Sequence, residues 1–226
     1  MLDMTYVIFV LPALILAMWA QARVSSTFNR YSKIVSQKGL TGCEVARKIL
    51  DANGLHGVAV ERVAGNLTDH FDPKANVIRL SDSVYANNSI GAVGVAAHEA
   101  GHAVQYGENY IPIKIRNSVI PAANIGSYAA FPLALMGILF SSDWLINAGI
   151  ILFSAVVFFQ IITLPVEFNA SHRAIRVLTE SEMMDKQEVR GVKKVLSAAA
   201  MTYVAAAATA ILNLVRLLVL TNRNRD

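Results

Sequence analysis

The sequence predicts a mainly α-helical, polytopic membrane protein with about four transmembrane helices and a small cytoplasmic α+β domain. Of its 226 residues, 54% are hydrophobic and 16% are charged, and its mean hydropathy is +0.45. In a typical soluble domain about a quarter of the residues are charged. The composition of this chain therefore excludes a disordered chain and a free soluble globule. The apolar residues are concentrated in long runs, and a long polar segment between two of them carries the turn signals of a small folded domain.

Four apolar segments are long enough to cross a hydrocarbon core, which needs about 20 residues. They comprise residues 5–22, 118–140, 144–164 and 198–220. The first segment has an alternative interpretation as a cleaved signal peptide, because Ala20-Gln21-Ala22 resembles a cleavage site. A retained anchor is favoured, since the residues before this segment include no Lys or Arg and carry the negative charge of Asp3.

The charge distribution predicts how the chain is oriented in the membrane. With four spans, segments 23–117 and 165–197 lie on one side. Near the predicted spans these segments carry Arg23, Arg30, Lys33, Lys114, Arg116, Arg173, Arg176, Lys193 and Lys194. The opposite side has basic residues only at Arg223 and Arg225. By the positive-inside rule both segments are cytoplasmic and both termini lie outside. The lone Cys43 suits such a reducing compartment, so we expect a multi-pass protein of the cytoplasmic (inner) membrane.

Segment 23–117 is long enough to form a compact cytoplasmic unit. Thr41-Gly42-Cys43-Glu44 is a capping box, which predicts a helix that continues to about Ala52. Strand-like stretches follow at residues 58–63, 67–71 and 77–80. The last two flank a turn and are typical of a hairpin. Ser89 is a suitable N-cap for a helix over residues 89–106.

The predicted helix 89–106 contains the motif His98-Glu99-Ala100-Gly101-His102. Positions i and i+4 share one helix face, so both imidazoles reach one ion, and Glu99 reaches a water beside it. The alternative is a helix with polar core residues. That alternative is costly, because two histidines and a glutamate would be buried without partners among Ala, Val, Gly and Ile. The motif therefore predicts a zinc site.

A catalytic zinc usually has three protein ligands and one open position. Glu167 follows the third apolar segment, and a helix that begins at Pro165 would place it at the membrane edge. A membrane hairpin formed by residues 118–164 returns the chain to the side of the two histidines, so Glu167 is the candidate third ligand. The alternative is an acid that stabilises a helix N-terminus. If Glu167 is not the ligand, Glu108 and Asp69 are the next candidates.

Three blocks of the chain resemble the YugP-type membrane zinc metallopeptidases. They are Asp69-His70-Phe71-Asp72-Pro73 through Arg79-Leu80-Ser81, the run 95–103 around the histidines, and Leu164-Pro165-Val166-Glu167-Phe168. The arrangement is also similar to that of HtpX-like membrane proteases, in which a transmembrane hairpin separates the two-histidine helix from a glutamate ligand. The resemblance covers nearly the whole chain. It implies a zincin-like domain of the gluzincin type, one Zn²⁺ held by His98, His102 and Glu167, and Glu99 as the catalytic base. In HtpX-like enzymes an Asp four residues after the glutamate supports the site, whereas this chain has Ser171 there.

Further candidates concern the oxyanion and the substrate. His172, about one turn beyond Glu167, is a candidate donor to the oxyanion, and His70 is a weaker one. For both, the alternative is an ordinary surface histidine. Residues 77–81 could pair with an extended substrate by strand addition, with an internal hairpin strand as the alternative. The candidate substrate-binding residues are Val77, Ile78, Arg79 and Leu80.

Together these patterns predict an integral-membrane zinc endopeptidase with its active site on the cytoplasmic side. Its expected partners are membrane lipid and a protein or peptide substrate, with no nucleic acid, because the sequence has no RNP, zinc-finger or basic-arm pattern. The first alternative is an intramembrane, site-2-type metalloprotease, although the apolar stretch before His98 is short for a span. The second is a non-catalytic, zinc-stabilised membrane scaffold or chaperone adaptor, for which Glu99 would be unnecessary. The sequence predicts neither the substrate nor the oligomeric state.

Overall fold

The computed structural model describes residues 4–222. A short π-helix, Tyr6–Val10, leads directly into the first α-helix. The elements follow in the order α1 Leu11–Tyr31, α2 Gly42–Ala52, β1 Ala59–Val63, β2 His70–Asp72, β3 Val77–Ser81, α3 Ile90–Gly107, α4 Ile111–Leu139, α5 Asp143–Glu180 and α6 Lys186–Asn222. The predicted fold class is confirmed in its coarse form, a mainly helical chain with one small sheet.

Within the described range, four helices are long and apolar enough to cross a membrane. They are α1 with its π-helix, α4, α5 and α6, and each contains all but at most one residue of one of the apolar segments recognised in the sequence. Helix α3, which carries the two histidines of the motif, is not among these four helices.

Helix α5 differs from the sequence-based expectation at Pro165. The sequence predicts that Pro165 begins a new helix, but the residue lies inside one continuous helix that runs from Asp143 to Glu180. A proline in this position cannot donate to the carbonyl of Ile161, yet the neighbouring turns keep the helix intact. The third apolar segment and Glu167 therefore lie in the same continuous helix.

The chain divides into two compact units. The first unit comprises Lys114–Pro165 with the described parts of Met1–Gln21 and Met201–Asp226. Small residues let its helices approach closely, since a Cβ on Gly149 would lie 2.7 Å from the carbonyl oxygen of Ala130. A core of α4, α5 and α6 side chains includes Ala134, Phe153 and Leu217. Such packing through small residues is typical of helices in membranes.

The second unit comprises Ala22–Ile113 and Val166–Ala200. Helix α3 forms its centre and packs on α2 and on the sheet, with a buried face of Ala92, Ala96, Ala100 and Ala103. Side chains such as Ile49, Ile78 and Leu178 complete this core. Alanine on the central helix allows these neighbours to approach it closely, which is what a functional site on α3 requires.

The sheet has three strands in the order β1-β3-β2. The predicted hairpin is present, because β2 pairs antiparallel with β3 and His70 lies opposite Arg79. Strand β1 pairs parallel with the other edge of β3, with Ala59 opposite Val77. Parallel pairing of β1 is not evident from the sequence, because alternation identifies a strand but not its partner.

The position of β3 corrects the substrate-binding prediction. Its backbone pairs with β1 along Val77–Ser81 on one edge and with β2 along Val77–Arg79 on the other, so the paired residues leave no free edge for strand addition. Val77, Ile78 and Leu80 are buried core side chains, and Arg79 forms an ion pair with Asp72 at 3.0 Å. The alternative interpretation, an ordinary internal strand, is the one that the structure has.

Candidate metal centre

The local sequence explains why α3 begins at Ile90 and which face of the helix carries its polar side chains. Ser89 caps the helix by accepting a hydrogen bond from the backbone N–H of Ala92 at 3.2 Å. His98 and His102 lie one turn apart on one face, with ring centroids 4.7 Å apart and planes 82° apart. Both side chains are 12% exposed. The helix therefore presents two nearly perpendicular imidazoles in a mostly buried position.

Glu167 of α5 lies against both rings. Its Oε2 atom is 3.3 Å from Nε2 of His98 and 3.5 Å from Nε2 of His102. The possible ligand atoms of the three residues all lie within 4.8 Å of one another. Ligand atoms of a tetrahedral zinc with bonds of about 2.0–2.1 Å are about 3.3 Å apart. Two imidazoles and a carboxylate at this spacing fit one zinc ion.

The second nitrogen of each ring has its own partner. Nδ1 of His98 lies 3.2 Å from the hydroxyl of Ser171, and Nδ1 of His102 lies 3.0 Å from Oε1 of Gln105. In the tautomer with hydrogen on Nδ1, the ring donates to these oxygens and leaves the Nε2 lone pair directed at Glu167. Histidines that bind metals are usually oriented in this way. Ser171 thus contacts the site from the position where the resembling proteases have Asp.

Gln105 links the two helices that carry the site. Its side chain is fully buried, and its Nε2 donates to the carbonyl of Val166 at 2.8 Å and to Oδ1 of Asn169 at 3.0 Å. Asn169 also accepts a 2.7 Å hydrogen bond from Nε of Arg173. Gln105 and Asn169 are not among the candidates that the sequence indicates. The signal for Gln105 in the sequence is a single amide three residues after His102, on the same face of an otherwise apolar helix.

A glycine makes this close approach of α3 and α5 possible. A Cβ on Gly101 would lie 2.8 Å from the carbonyl oxygen of Ala170, which is closer than real Cβ atoms come. The residue directly before His102 therefore has to be small, because a larger side chain would push α5 away. The motif's spacer residues have a packing role as well as setting the spacing.

Burial and neighbouring acidic groups shift the pKa values of His102 and Asp69. Burial by itself lowers the pKa of His102, but the hydrogen bond to Glu167 and the charges of Glu99 and Glu167 outweigh burial and raise it. Burial also raises the pKa of Asp69; hydrogen bonds from Ser81 oppose this shift, and the charge of Glu99 adds to it. Glu99, itself buried, is thus close enough to His102 to act on it electrostatically.

The other sequence candidates for the third ligand have other partners. Asp69 accepts hydrogen bonds from the backbone and hydroxyl of Ser81, and Glu108 pairs with Arg173 at 2.7 Å, so neither belongs to the cluster of His98, His102 and Glu167. His172 is exposed. Helix positions five apart are separated by about 140°, so its side chain does not share the face of Glu167.

His70 is also exposed. Its Nδ1 lies 2.9 Å from the carbonyl of Thr68, and its Nε2 lies 3.5 Å from Arg79. Neither histidine gains support as an oxyanion donor from these positions.

Comparisons with known proteins agree with this geometry. A family model described as "putative neutral zinc metallopeptidase" matches residues 6–222. A protein of Bacillus subtilis (strain 168) named "Putative membrane protease YugP" is 49% identical over 223 residues, which is 99% of each chain. No solved structure gives a significant match. With a match along nearly its entire length, this chain belongs to the neutral zinc metallopeptidase family that the model describes.

Proposed function

We propose that the protein is an integral-membrane, zinc-dependent endopeptidase whose metal ligands are His98, His102 and Glu167. The observation that carries this proposal is the convergence of two Nε2 atoms and one carboxylate oxygen, while each Nδ1 faces an oxygen of its own. Membership in a zinc metallopeptidase family makes zinc the expected ion. Imidazole and carboxylate also form a donor set that zinc accepts.

The side chains divide the chemistry of peptide hydrolysis among them. Bound zinc lowers the pKa of water and polarises a carbonyl group. Glu99 accepts a proton from the attacking water as its oxygen bonds to the scissile carbon. The same carboxyl group then gives that proton to the amide nitrogen as the carbon–nitrogen bond breaks. Ser171 and Gln105 hold the imidazoles in orientation throughout.

We place the protein in the cytoplasmic (inner) membrane with the metal centre on the cytoplasmic side. Support comes from the four long apolar helices, the basic residues of segments 23–117 and 165–197, and the name of the Bacillus relative. The proposed partners are membrane lipid and a protein or peptide substrate. Segment 23–117 supplies the motif helix, so a cytoplasmic or membrane-proximal peptide is the accessible substrate class.

The two alternatives are less well supported. An intramembrane protease would need α3 in lipid, but α3 is not among the helices that meet the requirements for a span in the described range. It packs instead in a core with α2 and the sheet. A zinc-stabilised scaffold needs the three ligands but not Glu99, whose burial beside the histidines would be costly without a function.

The test is metal content and cleavage measured on the same purified samples. We expect Glu99→Gln to keep one zinc per chain and to cleave an unfolded protein substrate at least about 100-fold more slowly. Glu180→Gln, an exposed change on α5, is the matched control and should behave like the parent. His98→Ala and Glu167→Ala should lose zinc.

Undiminished cleavage by Glu99→Gln would contradict the proposed mechanism. Parental zinc affinity in Glu167→Ala would contradict the ligand set. Zinc binding without cleavage of any peptide by the unaltered protein would favour the scaffold.

A further inference from the structure

A cavity in the unit formed by Ala22–Ile113 and Val166–Ala200 is lined by basic residues. It has a volume of about 470 Å³ and lies between α1 and α6. The basic side chains around it are Arg23, Arg30, Arg190, Lys193 and Lys194, and none of its lining residues is acidic. Like charges gathered around one cavity repel each other, and a bound anion relieves that repulsion. We call this cavity the basic groove.

The spacing of residues along α1 explains one wall of the groove. Arg23, Ser26, Thr27 and Arg30 line it at helical intervals of three, one and three residues, so they form a single stripe. Tyr31, only 8% exposed, follows at the end of this stripe, and the guanidinium of Arg30 lies 5.8 Å from its ring centroid. The wall thus combines two guanidinium groups with two hydroxyl groups, which are all of a kind able to donate hydrogen bonds to an anion.

Helix α6 provides the opposite wall with the same spacing. Arg190, Lys193, Lys194 and Ser197 recur at intervals of three, one and three residues and also form one stripe. At one end the two helices are in close contact, because a Cβ on Gly191 would lie 2.8 Å from a ring carbon of Tyr31. Two matching stripes that converge on one cavity make the arrangement more specific than a scattered basic surface.

The position of the groove along the chain indicates the source of its anion. Arg23 directly follows the predicted span 5–22, and Ser197 directly precedes the predicted span 198–220. Both walls therefore begin where their helices leave the hydrocarbon, which is the level of lipid headgroups. Arginine pairs bidentately with phosphate oxygens, and lysine adds point charges.

We propose that the basic groove binds the phosphodiester headgroup of an anionic glycerophospholipid. The inference rests on the proposed membrane location but not on catalysis. Lipid binding to the intact protein therefore tests the inference, and the measurement does not depend on peptide cleavage. Failure of the endopeptidase proposal in the Glu99→Gln assay would leave this result unaffected.

The experiment titrates the full-length protein in a neutral detergent with phosphatidylglycerol and counts bound lipid by native mass spectrometry. Phosphatidylcholine serves as the neutral lipid, and inorganic phosphate as the soluble anion. We expect phosphatidylglycerol to bind, phosphatidylcholine to bind much more weakly, and inorganic phosphate to leave the bound lipid in place. Each basic residue near an anionic surface contributes about fivefold to binding. The variant Arg190→Gln/Lys193→Gln/Lys194→Gln should therefore bind on the order of 100-fold more weakly.

The matched control removes the same number of positive charges elsewhere, as Lys48→Gln/Arg62→Gln/Lys74→Gln, all at exposed positions. It should stay within about threefold of the parent, since charges away from the groove act only through a screened field. Lys193→Arg/Lys194→Arg keeps the charge and should retain binding, which separates loss of charge from loss of folding. Equal losses in the two triple variants overturn the proposal. Displacement of the lipid by inorganic phosphate at similar concentration assigns the groove to a soluble anion instead.

Discussion

Each imidazole has two nitrogens, and the partner of Nδ1 decides how Nε2 can act. In His98 that partner is the Ser171 hydroxyl, and in His102 it is the Gln105 amide oxygen. Neither partner is a carboxylate, so each holds the ring in orientation while adding little negative charge to it. The amide of Gln105 is the more constrained of the two, since its nitrogen is fixed by Val166 and Asn169.

This arrangement predicts the effect of removing either partner. Gln105→Leu and Ser171→Ala should each weaken zinc binding by about 10–100-fold, because an unsupported imidazole rotates away from the ion. Gln105→Leu should have the larger effect, since it also breaks the link between α3 and α5. Competition with a chelator measures both affinities. Thr179→Val, which removes a hydroxyl bonded to its own helix carbonyl at Ile175, is the control. Parental affinity in both variants would show that the Nδ1 contacts do not position the ligands.

At this scale the sequence predicts the residues whose spacing is local. His98, Glu99 and His102 follow from one pentapeptide, and Glu167 follows from a hairpin and a family resemblance. Gln105 could not be predicted, because its partners Val166 and Asn169 are far along the chain and are adjacent only after folding. Counting one turn from Glu167 favours His172, but the residue a turn away that contacts the site is Ser171.

At the level of elements, the metal centre depends on how closely α3 and α5 pack. The contact is set at Gly101, where an added Cβ would meet a backbone carbonyl, which cannot rotate away. The sequence identifies both helices but not this contact, since a glycine inside a motif looks like a mere spacer. Likewise, alternation identifies β1 and β3 as strands and leaves the central position of β3 undetermined until the parallel pair is seen.

Gly101→Ala is therefore expected to be harmful even though alanine is the better helix former. The clash with the carbonyl of Ala170 should cost about 1–3 kcal/mol of stability and separate Glu167 from the histidines. Zinc affinity should fall at least about tenfold.

Gly94→Ala on the same helix is the control for Gly101→Ala. Its Cβ would lie 3.0 Å from a methyl group of Val192, which can shift, and it gains about 1 kcal/mol of helix propensity. Melting temperature and zinc affinity of the two variants give the comparison. Similar zinc affinities would argue against a close-contact requirement at Gly101.

For the molecule as a whole, hydropathy and charge carry different information. Between residues 4 and 222, hydropathy identifies four helices that are long enough to span a membrane. The positions of Lys and Arg then predict which connections face the cytoplasm. One testable consequence is that the turn between α4 and α5 and the turn between β2 and β3 lie on opposite sides, because a single predicted span, 118–140, separates them.

Cysteine labelling in intact cells tests this consequence. Cys43 is the only cysteine of the sequence, so Cys43→Ser provides a background without thiols. In that background, Ser141→Cys in the α4–α5 turn should react with a membrane-impermeant maleimide added outside. Lys74→Cys in the β2–β3 turn should react only after the cells are permeabilised. Both positions are exposed, so differences in burial do not explain a difference in labelling. Labelling of Lys74→Cys alone would reverse the orientation and move the metal centre outside. Equal labelling at both positions in intact cells would mean that residues 118–140 do not cross the membrane. The predicted orientation, which depends on that crossing, would then be wrong.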